Sequence, residues 1–174
     1  MLDITKMLHQ IIDLELTVDD AKELLLGPDA RKQTIFVDLD LALSATAEAA
    51  GWFRVVKPAP MDKQKLITSY TQALALFLLF SAKMQWTHLV VLDEESWQRV
   101  KTAQPATKLA DLNKAYLALK HFLSDAYFNH QQESFRHAWH LLLKMGLVDW
   151  HLTPDQLTDA YQAMVDQTKN ELEK

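Results

Sequence analysis

The 174-residue chain has no cysteine, only three glycines and five prolines, and no run of lysine or arginine. Without cysteine there is no thiol nucleophile, no Cys-ligated zinc and no disulfide, and nothing indicates an oxidising compartment. So few glycines leave little material for tight β-hairpins or phosphate-binding loops. A net charge of -5, spread along the chain, gives no electrostatic footprint for nucleic acid or an anionic membrane.

The amino-terminal segment MLDITKMLHQ is amphipathic and has neither a basic n-region nor an apolar h-region, so no secretory signal is visible. We therefore expect a cytoplasmic protein with neither nucleic acid nor membrane among its partners. The 49% share of apolar residues suits one domain over residues 1–174. A domain of this size buries about 70% of the surface that its unfolded chain exposes.

Residues 73–80 are apolar on every side of a helix. A helix of this kind must be enclosed by other elements, and the stretch is far shorter than the roughly 20 residues that span a bilayer. The helical periodicity elsewhere and the scarcity of glycine predict an all-α bundle of about six helices. Its buried central helix is predicted at about residues 63–86, with Asp62 as the N-cap.

In the amino-terminal half, Asp3 is predicted to cap a first helix and Thr17 a short second one. Residues 31–50 have the apolar period of a helix, which Gly51 ends. Residues 52–62 contain two prolines and are predicted to be an extended connection. Each of the three glycines is expected where a helix stops.

In the carboxyl-terminal half, residues 88–100 fit either a short strand followed by a helical turn or a continuous helix, and residues 101–107 are predicted to be a loop. Thr107 is predicted to cap the next helix, and a further helix is expected to end at Gly146. Thr153 and Gln156 have the spacing of a capping box, so the last helix should run from there almost to the end of the chain.

Paired acids at i and i+3 or i+4 on two facing helices are the usual way in which an all-α protein holds Mg²⁺. Asp38 and Asp40 are two residues apart and point in different directions, while Leu41 and Ala42 occupy the partner positions of Asp38. Residues 65–86 contain no acid. These elements therefore predict no carboxylate cage, no metal site and no catalytic residue.

Two other groups of residues have a functional and a structural interpretation. His137 and His140 are spaced i, i+3 near His130, but no acid supplies a third metal ligand in register, so helix-edge histidines are favoured over a metal site. Trp52 lies just after a helix end. With Arg54 and Lys57 it forms either an aromatic surface that stacks a base and meets phosphates, or a packed loop anchor with solvated charges.

Three segments together resemble the dimeric all-α dUTPases of the all-α nucleoside-triphosphate pyrophosphatase superfamily, which also contains the MazG-like proteins. In that family a Glu-x-x-Glu helix and a Trp-bearing basic loop precede a helix with a second acidic motif and a closing helix with a Lys-Asn pair. The segments that carry the resemblance are VDLDLALSATAEAAGW, SYTQALALFLLF and MGLVDWHLTPDQLTDAYQAMVDQTKN.

The resemblance implies four positions for Mg²⁺ ligands, and three of them lack an acid here. Asp38 stands at the first position and Leu41 at the second, while Ser69 and Gln72 occupy the two positions on the central helix. Tyr70 keeps the family's tyrosine. Phosphoryl chemistry needs the missing charges, whereas helix order depends on apolar patterning.

The resemblance also implies nucleotide contacts outside the metal site. Trp52, Arg54 and Lys57 match the substrate-binding loop, whereas Met164 and Val165 stand where the family's Lys-Asn pair meets the nucleotide. Of the nucleotide contacts that the resemblance implies, this sequence thus keeps one aromatic residue and two cations.

Three hypotheses follow. The first is a dUTPase-like homodimer that has lost Mg²⁺-dependent nucleotide hydrolysis, needs no cofactor and acts as a binding or structural protein, with a nucleotide as a candidate ligand. The second is an active nucleoside-triphosphate pyrophosphatase whose Mg²⁺ ligands are other acids, such as Asp13, Glu15 or Glu48. The third is a helical protein-interaction module that shares only topology with the family.

Overall fold

The computed structural model describes residues 1–173, and every regular element in that range is helical, without a β-strand. The predicted all-α fold is therefore confirmed. A 3-10 turn (Thr87–Leu89) precedes the fourth α-helix, and a π-helical segment (Met145–Asp149) follows the sixth. In chain order the α-helices are α1 (Ile4–Lys22), α2 (Pro28–Ala50), α3 (Lys63–Lys83), α4 (Glu94–Lys101), α5 (Leu109–Asn129), α6 (Gln132–Lys144) and α7 (Pro154–Leu172).

The central helix α3 is enclosed as predicted. Between Ala73 and Phe80 every side chain is buried except that of Leu76, which is half-buried. By length and composition, α3 is the one helix within residues 1–173 that meets the criteria for crossing a membrane, but 61% of its apolar window is buried inside the protein. This burial is what a core helix requires, because its apolar side chains contact other helices instead of solvent.

The other helices surround α3 on several sides. Helix α2 packs along its length, α1 and α7 cover a second side, and α5 pairs with α6. Phe77 of α3 contacts Phe135 and Trp139 of α6, with ring centroids 4.9 and 5.4 Å apart. Helix α5 lies against α2, where the rings of Phe36 and Tyr127 stack with centroids 4.4 Å apart. The helices therefore share one apolar core.

Two buried tyrosines join helices that are distant in sequence. The hydroxyl of Tyr70 on α3 donates to the backbone oxygen of Leu142 on α6 at 2.9 Å, and that of Tyr161 on α7 donates to the oxygen of Met7 on α1 at 2.7 Å. Burial raises the pKa of both hydroxyls well above the usual value. Both tyrosines therefore remain protonated donors.

The predicted break at Thr17 is wrong, because α1 continues through this residue to Lys22. The Thr17 hydroxyl donates to a backbone oxygen one turn earlier at 2.8 Å and caps nothing. The later part of α1 is held by Arg31 of α2, which binds Glu15 at 3.1 Å and Asp19 at 2.9 Å. Lys83 at the end of α3 also binds Glu15. These long-range ion pairs, which the local sequence does not reveal, keep α1 continuous.

Only one of the three glycines ends a helix as predicted. Gly51 adopts the left-handed conformation with a φ of 68° and terminates α2. Gly27 instead precedes α2 as its N-cap, in an extended conformation. Gly146 lies inside the π-helical segment. A Cβ at this position would overlap the ring of Tyr70, so the absence of a side chain, not backbone freedom, explains the glycine.

Residues 88–100 form neither of the two predicted alternatives, because the 3-10 turn and α4 divide them. The loop predicted over residues 101–107 is confirmed from residue 102 onward, after α4 ends. The indole nitrogen of Trp139 donates to the backbone oxygen of Val90 at 3.0 Å and fixes the segment between these elements. Helix α4 then starts at a local cap, where the carboxylate of Asp93 accepts from the backbone nitrogen of Ser96 at 2.8 Å.

The predicted cap at Thr107 is also wrong. Helix α5 begins after Lys108 without a side-chain cap. The chain before it is held from a distance, because the backbone nitrogen of Ala106 donates to the carboxylate of Asp149 at 2.8 Å. The same carboxylate, which is 1% exposed, binds Lys144 at 2.7 Å.

The other local predictions are confirmed. Asp3 and Asp62 cap α1 and α3, and Thr153 with Gln156 forms the capping box of α7. Residues 52–62 connect α2 to α3 without regular structure. Helix α2 begins at Pro28, one turn earlier than its apolar period indicated.

We expect Gly146→Ala to destabilise the protein by about 3 kcal/mol or more, because the added methyl group displaces the buried Tyr70 ring. Urea unfolding followed by circular dichroism measures the difference. Gly27→Ala is the matched control, since a Cβ there meets no atom within 4 Å and only a modest capping preference changes. Equal unfolding midpoints for the two variants would contradict the assigned contact.

Candidate functional site

Three of the residues that the family resemblance implies line one pocket of about 570 Å³. Arg54, Ser69 and Gln72 meet there, where the end of α2, the connection after it and the first half of α3 come together. We call this cavity the charged pocket. Its lining residues are Ala45, Glu48, Ala49, Arg54, Ala59, Pro60, Asp62, Gln64, Lys65, Thr68, Ser69 and Gln72.

The two implied ligand positions on α2 lie outside this pocket. Asp38 and Leu41 are exposed, and the side chain of Leu41 is 61% exposed. Asp38 precedes Glu48, which does line the pocket, by about 15 Å along the helix axis. The four positions implied for Mg²⁺ are therefore divided, with only Ser69 and Gln72 in the same cavity.

The charges of the charged pocket form two acid–base pairs. The guanidinium of Arg54 binds Glu48 at 3.1 Å and lies 5.5 Å from the ring centroid of Phe53. Lys65 lies 3.5 Å from Asp62, whose carboxylate also accepts from the backbone nitrogen of Lys65. Both carboxylates thus already have a cation as partner. All four side chains reach solvent, so the two ion pairs are weak. An anionic ligand can therefore replace the carboxylates as the partner of the two cations at modest cost in free energy.

Trp52 is packed against other aromatic side chains instead of facing the charged pocket. Its indole nitrogen donates to Asn113 at 2.9 Å, and its ring lies 5.5 Å from Tyr116 and 5.8 Å from Trp150. Lys57 is exposed in the same connection and does not line the pocket. Of the three residues predicted for nucleotide binding, the structure brings only Arg54 to the pocket.

A second cavity, of about 470 Å³, opens on the other side of the same α3 side chains. It lies between α1, α3 and α7, and no charged residue lines it, so we call it the neutral pocket. Gln64, Thr68 and Gln72 line both cavities and separate them. The lining residues of the neutral pocket are Ile11, Leu14, Gln64, Thr68, Thr71, Gln72, Ala75, Leu76, Ala160, Ala163, Met164, Gln167 and Thr168.

One hydroxyl at the neutral pocket has no hydrogen-bond partner within residues 1–173. It belongs to Thr71, whose side chain lies on α3 and which is 2% exposed. An unpaired buried hydroxyl is unfavourable unless something binds it. Thr71 therefore marks the neutral pocket as a place where a ligand atom or a water molecule would be stabilised.

The two positions that match the family's Lys-Asn pair separate in space. Met164 lines the neutral pocket, whereas Val165 is buried in the core. The neutral pocket therefore occupies the region where the resemblance places nucleotide contacts, but an apolar side chain stands there instead of an amine. Phosphate binding is consequently better supported at the charged pocket, where Arg54 and Lys65 lie.

Within the described residues, no group of three or more His, Asp or Glu side chains is arranged to hold a metal ion. Of the acids proposed for the active-enzyme alternative, Glu15 binds Lys83 at the end of α3, and Glu48 shares the charged pocket with Lys65 near its start. Those two lysines are about 27 Å apart along the helix, so these acids do not share a site. Asp13 is exposed on α1.

Sequence reasoning missed the neutral pocket and Thr71. A partial signal was present, since Gln64, Thr68 and Gln72 recur every four residues along the first half of α3. Such spacing predicts a polar stripe along one face of α3. It does not reveal that α1 and α7 build a cavity beside that stripe.

No family model, curated protein or solved structure matches this chain. The resemblance to the all-α pyrophosphatases therefore depends on the three segments quoted above.

We predict that Thr71→Val leaves stability unchanged or raises it by up to about 1 kcal/mol, because valine removes an unpaired buried hydroxyl. Thr46→Val is the control. Thr46 is equally buried, but its hydroxyl donates to a backbone oxygen at 2.7 Å, so the loss is about 1 kcal/mol. Thermal unfolding of both variants gives the comparison. A larger loss for Thr71→Val would mean that its hydroxyl is paired in solution.

Proposed function

We propose that the protein is a dUTPase-like homodimer that binds a nucleotide at the first half of α3 and does not carry out Mg²⁺-dependent hydrolysis. The observation that carries the proposal is the adjacency of the charged and neutral pockets, which share Gln64, Thr68 and Gln72. A nucleotide has one strongly anionic end and one end of neutral polar groups. The two cavities offer the corresponding surroundings side by side.

Arg54 and Lys65 are the cations that would meet the phosphates. Their present partners, Glu48 and Asp62, are exposed carboxylates, and exposed ion pairs of this kind contribute about 0–1 kcal/mol. A phosphate oxygen can accept a bidentate pair of hydrogen bonds from arginine and can therefore compete with Glu48.

The neutral pocket supplies groups suited to a nucleoside. The carboxamides of Gln64 and Gln72 each offer donors and an acceptor, as a base edge requires, and Thr71 adds an unpaired hydroxyl. Gln167 adds a third carboxamide, whose nitrogen already donates to Glu171 at 2.9 Å. Leu14 and Leu76 provide apolar surface for the faces of a base or sugar. The combination of apolar walls and a few polar groups is typical of small-molecule sites.

The absence of hydrolysis follows from charge. Mg²⁺ in phosphoryl-transfer sites is held by one or two carboxylates together with phosphate oxygens. At the positions implied for the ligands, Leu41, Ser69 and Gln72 carry no charge. Asp38 alone neither holds a second metal ion nor activates water. The proposed activity is therefore binding, with no cofactor.

The homodimer is supported by exposed apolar side chains on neighbouring helices. Leu117 and Phe128 of α5 are exposed, and they lie close to three helical turns apart, on the same face. Helix α2, which contacts α5 through Phe36 and Tyr127, carries exposed Val37 next to Phe36 in the chain. Exposed apolar side chains on two neighbouring helices favour contact with a second copy, because dimerisation removes them from water.

We predict that the protein binds dUTP or another nucleoside triphosphate in calorimetry without Mg²⁺, and releases no pyrophosphate from any of them with Mg²⁺ or Mn²⁺. Arg54→Gln and Lys65→Gln should each weaken binding by about three- to tenfold, because each removes a phosphate partner. The matched control is Lys63→Gln, since Lys63 is exposed two residues away and does not line the pocket.

A variant with Leu41→Glu, Ser69→Glu and Gln72→Asp tests the lineage, and pyrophosphate release only by this variant would support both the relationship and the loss. Release by the unmodified protein that stops with a chelator would instead favour the active-enzyme hypothesis. No binding of any nucleotide by the unmodified protein would contradict the proposed function.

For the assembly we predict a mass near twice the 20.0 kDa of one chain in light scattering at micromolar concentration. Leu117→Glu should shift the mass to that of the monomer, because it buries a charge at the proposed interface. Leu25→Glu is the control, since Leu25 is fully exposed in the connection between α1 and α2. A monomeric unmodified protein would refute the homodimer.

A further inference from the structure

A third cavity, of about 370 Å³, lies between α4, α5 and α6, away from the α3 pockets. None of its lining residues contributes to the charged or neutral pocket. We call it the histidine pocket, because two of its lining side chains are histidines. The lining residues are Arg99, Val100, Ala103, Phe122, His137, His140, Leu141 and Lys144.

The walls of the histidine pocket are apolar, and its polar side chains are all basic. Val100, Ala103, Phe122 and Leu141 are its apolar lining residues, and no acid, amide or hydroxyl side chain lines the cavity. The charged pocket, by contrast, contains an acid for each of its cations. Apolar walls beneath an exclusively basic set of polar groups are complementary to a small molecule with an apolar body and one negative charge.

The charge of Lys144 is already neutralised. Its ammonium group contacts both carboxylate oxygens of Asp149, at 2.7 and 2.9 Å, and the side chain of Asp149 is buried. The cation left for a ligand is Arg99, which is 69% exposed. Its neighbours are weak competitors on its own helix, namely the Ser96 hydroxyl at 3.2 Å and the Glu95 carboxylate at 3.8 Å.

His140 is half-buried in this pocket, and its ring makes no hydrogen bond to another group within residues 1–173. Burial lowers its pKa, and the positive charges of Arg136, Arg99 and His137 lower it further. The charged or titratable groups that face it are Arg99 from α4 and Arg136, His137 and Lys144 from α6, while α5 contributes Phe122 to the lining. An incoming carboxylate reverses this balance, because it favours the protonated ring.

We propose that the histidine pocket binds a small amphipathic carboxylate, whose charged group meets Arg99 and His140 and whose apolar body lies on Phe122, Val100 and Leu141. A planar carboxylate accepts two hydrogen bonds from the arginine fork, and a single negative charge matches Arg99, whose only ion-pair partner within residues 1–173 is the exposed Glu95 at 3.8 Å. This site is independent of the proposed nucleotide site, so either can fail without the other.

The test uses the full chain with sodium octanoate as the probe and 1-octanol as the uncharged probe of equal chain length. In calorimetry at pH 6.5, octanoate should bind about tenfold or more tightly than octanol. In nuclear magnetic resonance spectra, octanoate should shift the ring signals of His140 towards the protonated form. Octanoate affinity should also rise as the pH falls from 8 to about 6, because binding takes up a proton at this ring.

Arg99→Gln should weaken octanoate binding by about five- to tenfold and leave octanol binding unchanged. Lys101→Gln is the matched control on the same helix, because it removes the same charge from a residue that does not line the pocket. Equal affinity for octanoate and octanol, equal losses in the two variants, or no octanoate binding at millimolar concentration would each overturn the proposal.

Discussion

The structure depends on the enclosure of α3. Tyr70, Phe77, Leu78 and Phe80 are completely removed from solvent. Helices α1, α2 and α7 pack along α3, and the aromatic side chains of α6 contact Phe77. Burial of aromatic and aliphatic side chains of this size supplies the main favourable term in folding. The covering helices are consequently positioned by their contacts with α3, and their own loops need only be long enough to connect them.

This constraint also explains where the two α3 pockets lie. The apolar residues of α3 are concentrated in its second half, whereas its first half carries polar side chains at every fourth position, Gln64, Thr68 and Gln72. Helices α2 and α7 need not close over polar side chains, so they leave a cavity on either side of them. The proposed ligand site is thus the part of the central helix that the core does not require.

Local signals in the sequence were sufficient for some elements and not for others. The caps at Asp62 and Thr153 were predictable because each involves residues within one turn of the chain. Thr107 looked similar, but the carboxylate of Asp149 fixes the neighbouring backbone from a distant segment. Gly146 was misread for the same reason, since the ring of Tyr70 is what requires a glycine there. Where a prediction from the local sequence was wrong, a contact between residues distant in sequence determined the structure.

The residues of the candidate sites also fall into those that the sequence indicated and those that it did not. Arg54, Ser69 and Gln72 were named from the resemblance and do lie together, because the order of α2, the connection and α3 is enough to bring them together. Thr71 was not predictable, because its lack of a partner depends on how α1 and α7 cover α3.

The histidine pocket depends still more on tertiary structure. His137 and His140 were noticed as an i, i+3 pair and considered as metal ligands, since the sequence does not show which charges surround them. The fold places Arg99 of α4 beside them, with no acid among the residues that line the pocket. That arrangement favours an anion over a metal cation, because the positive charge of Arg99 attracts an anion and repels a cation. The tertiary structure therefore decides the sign of the ligand charge that these histidines can accept.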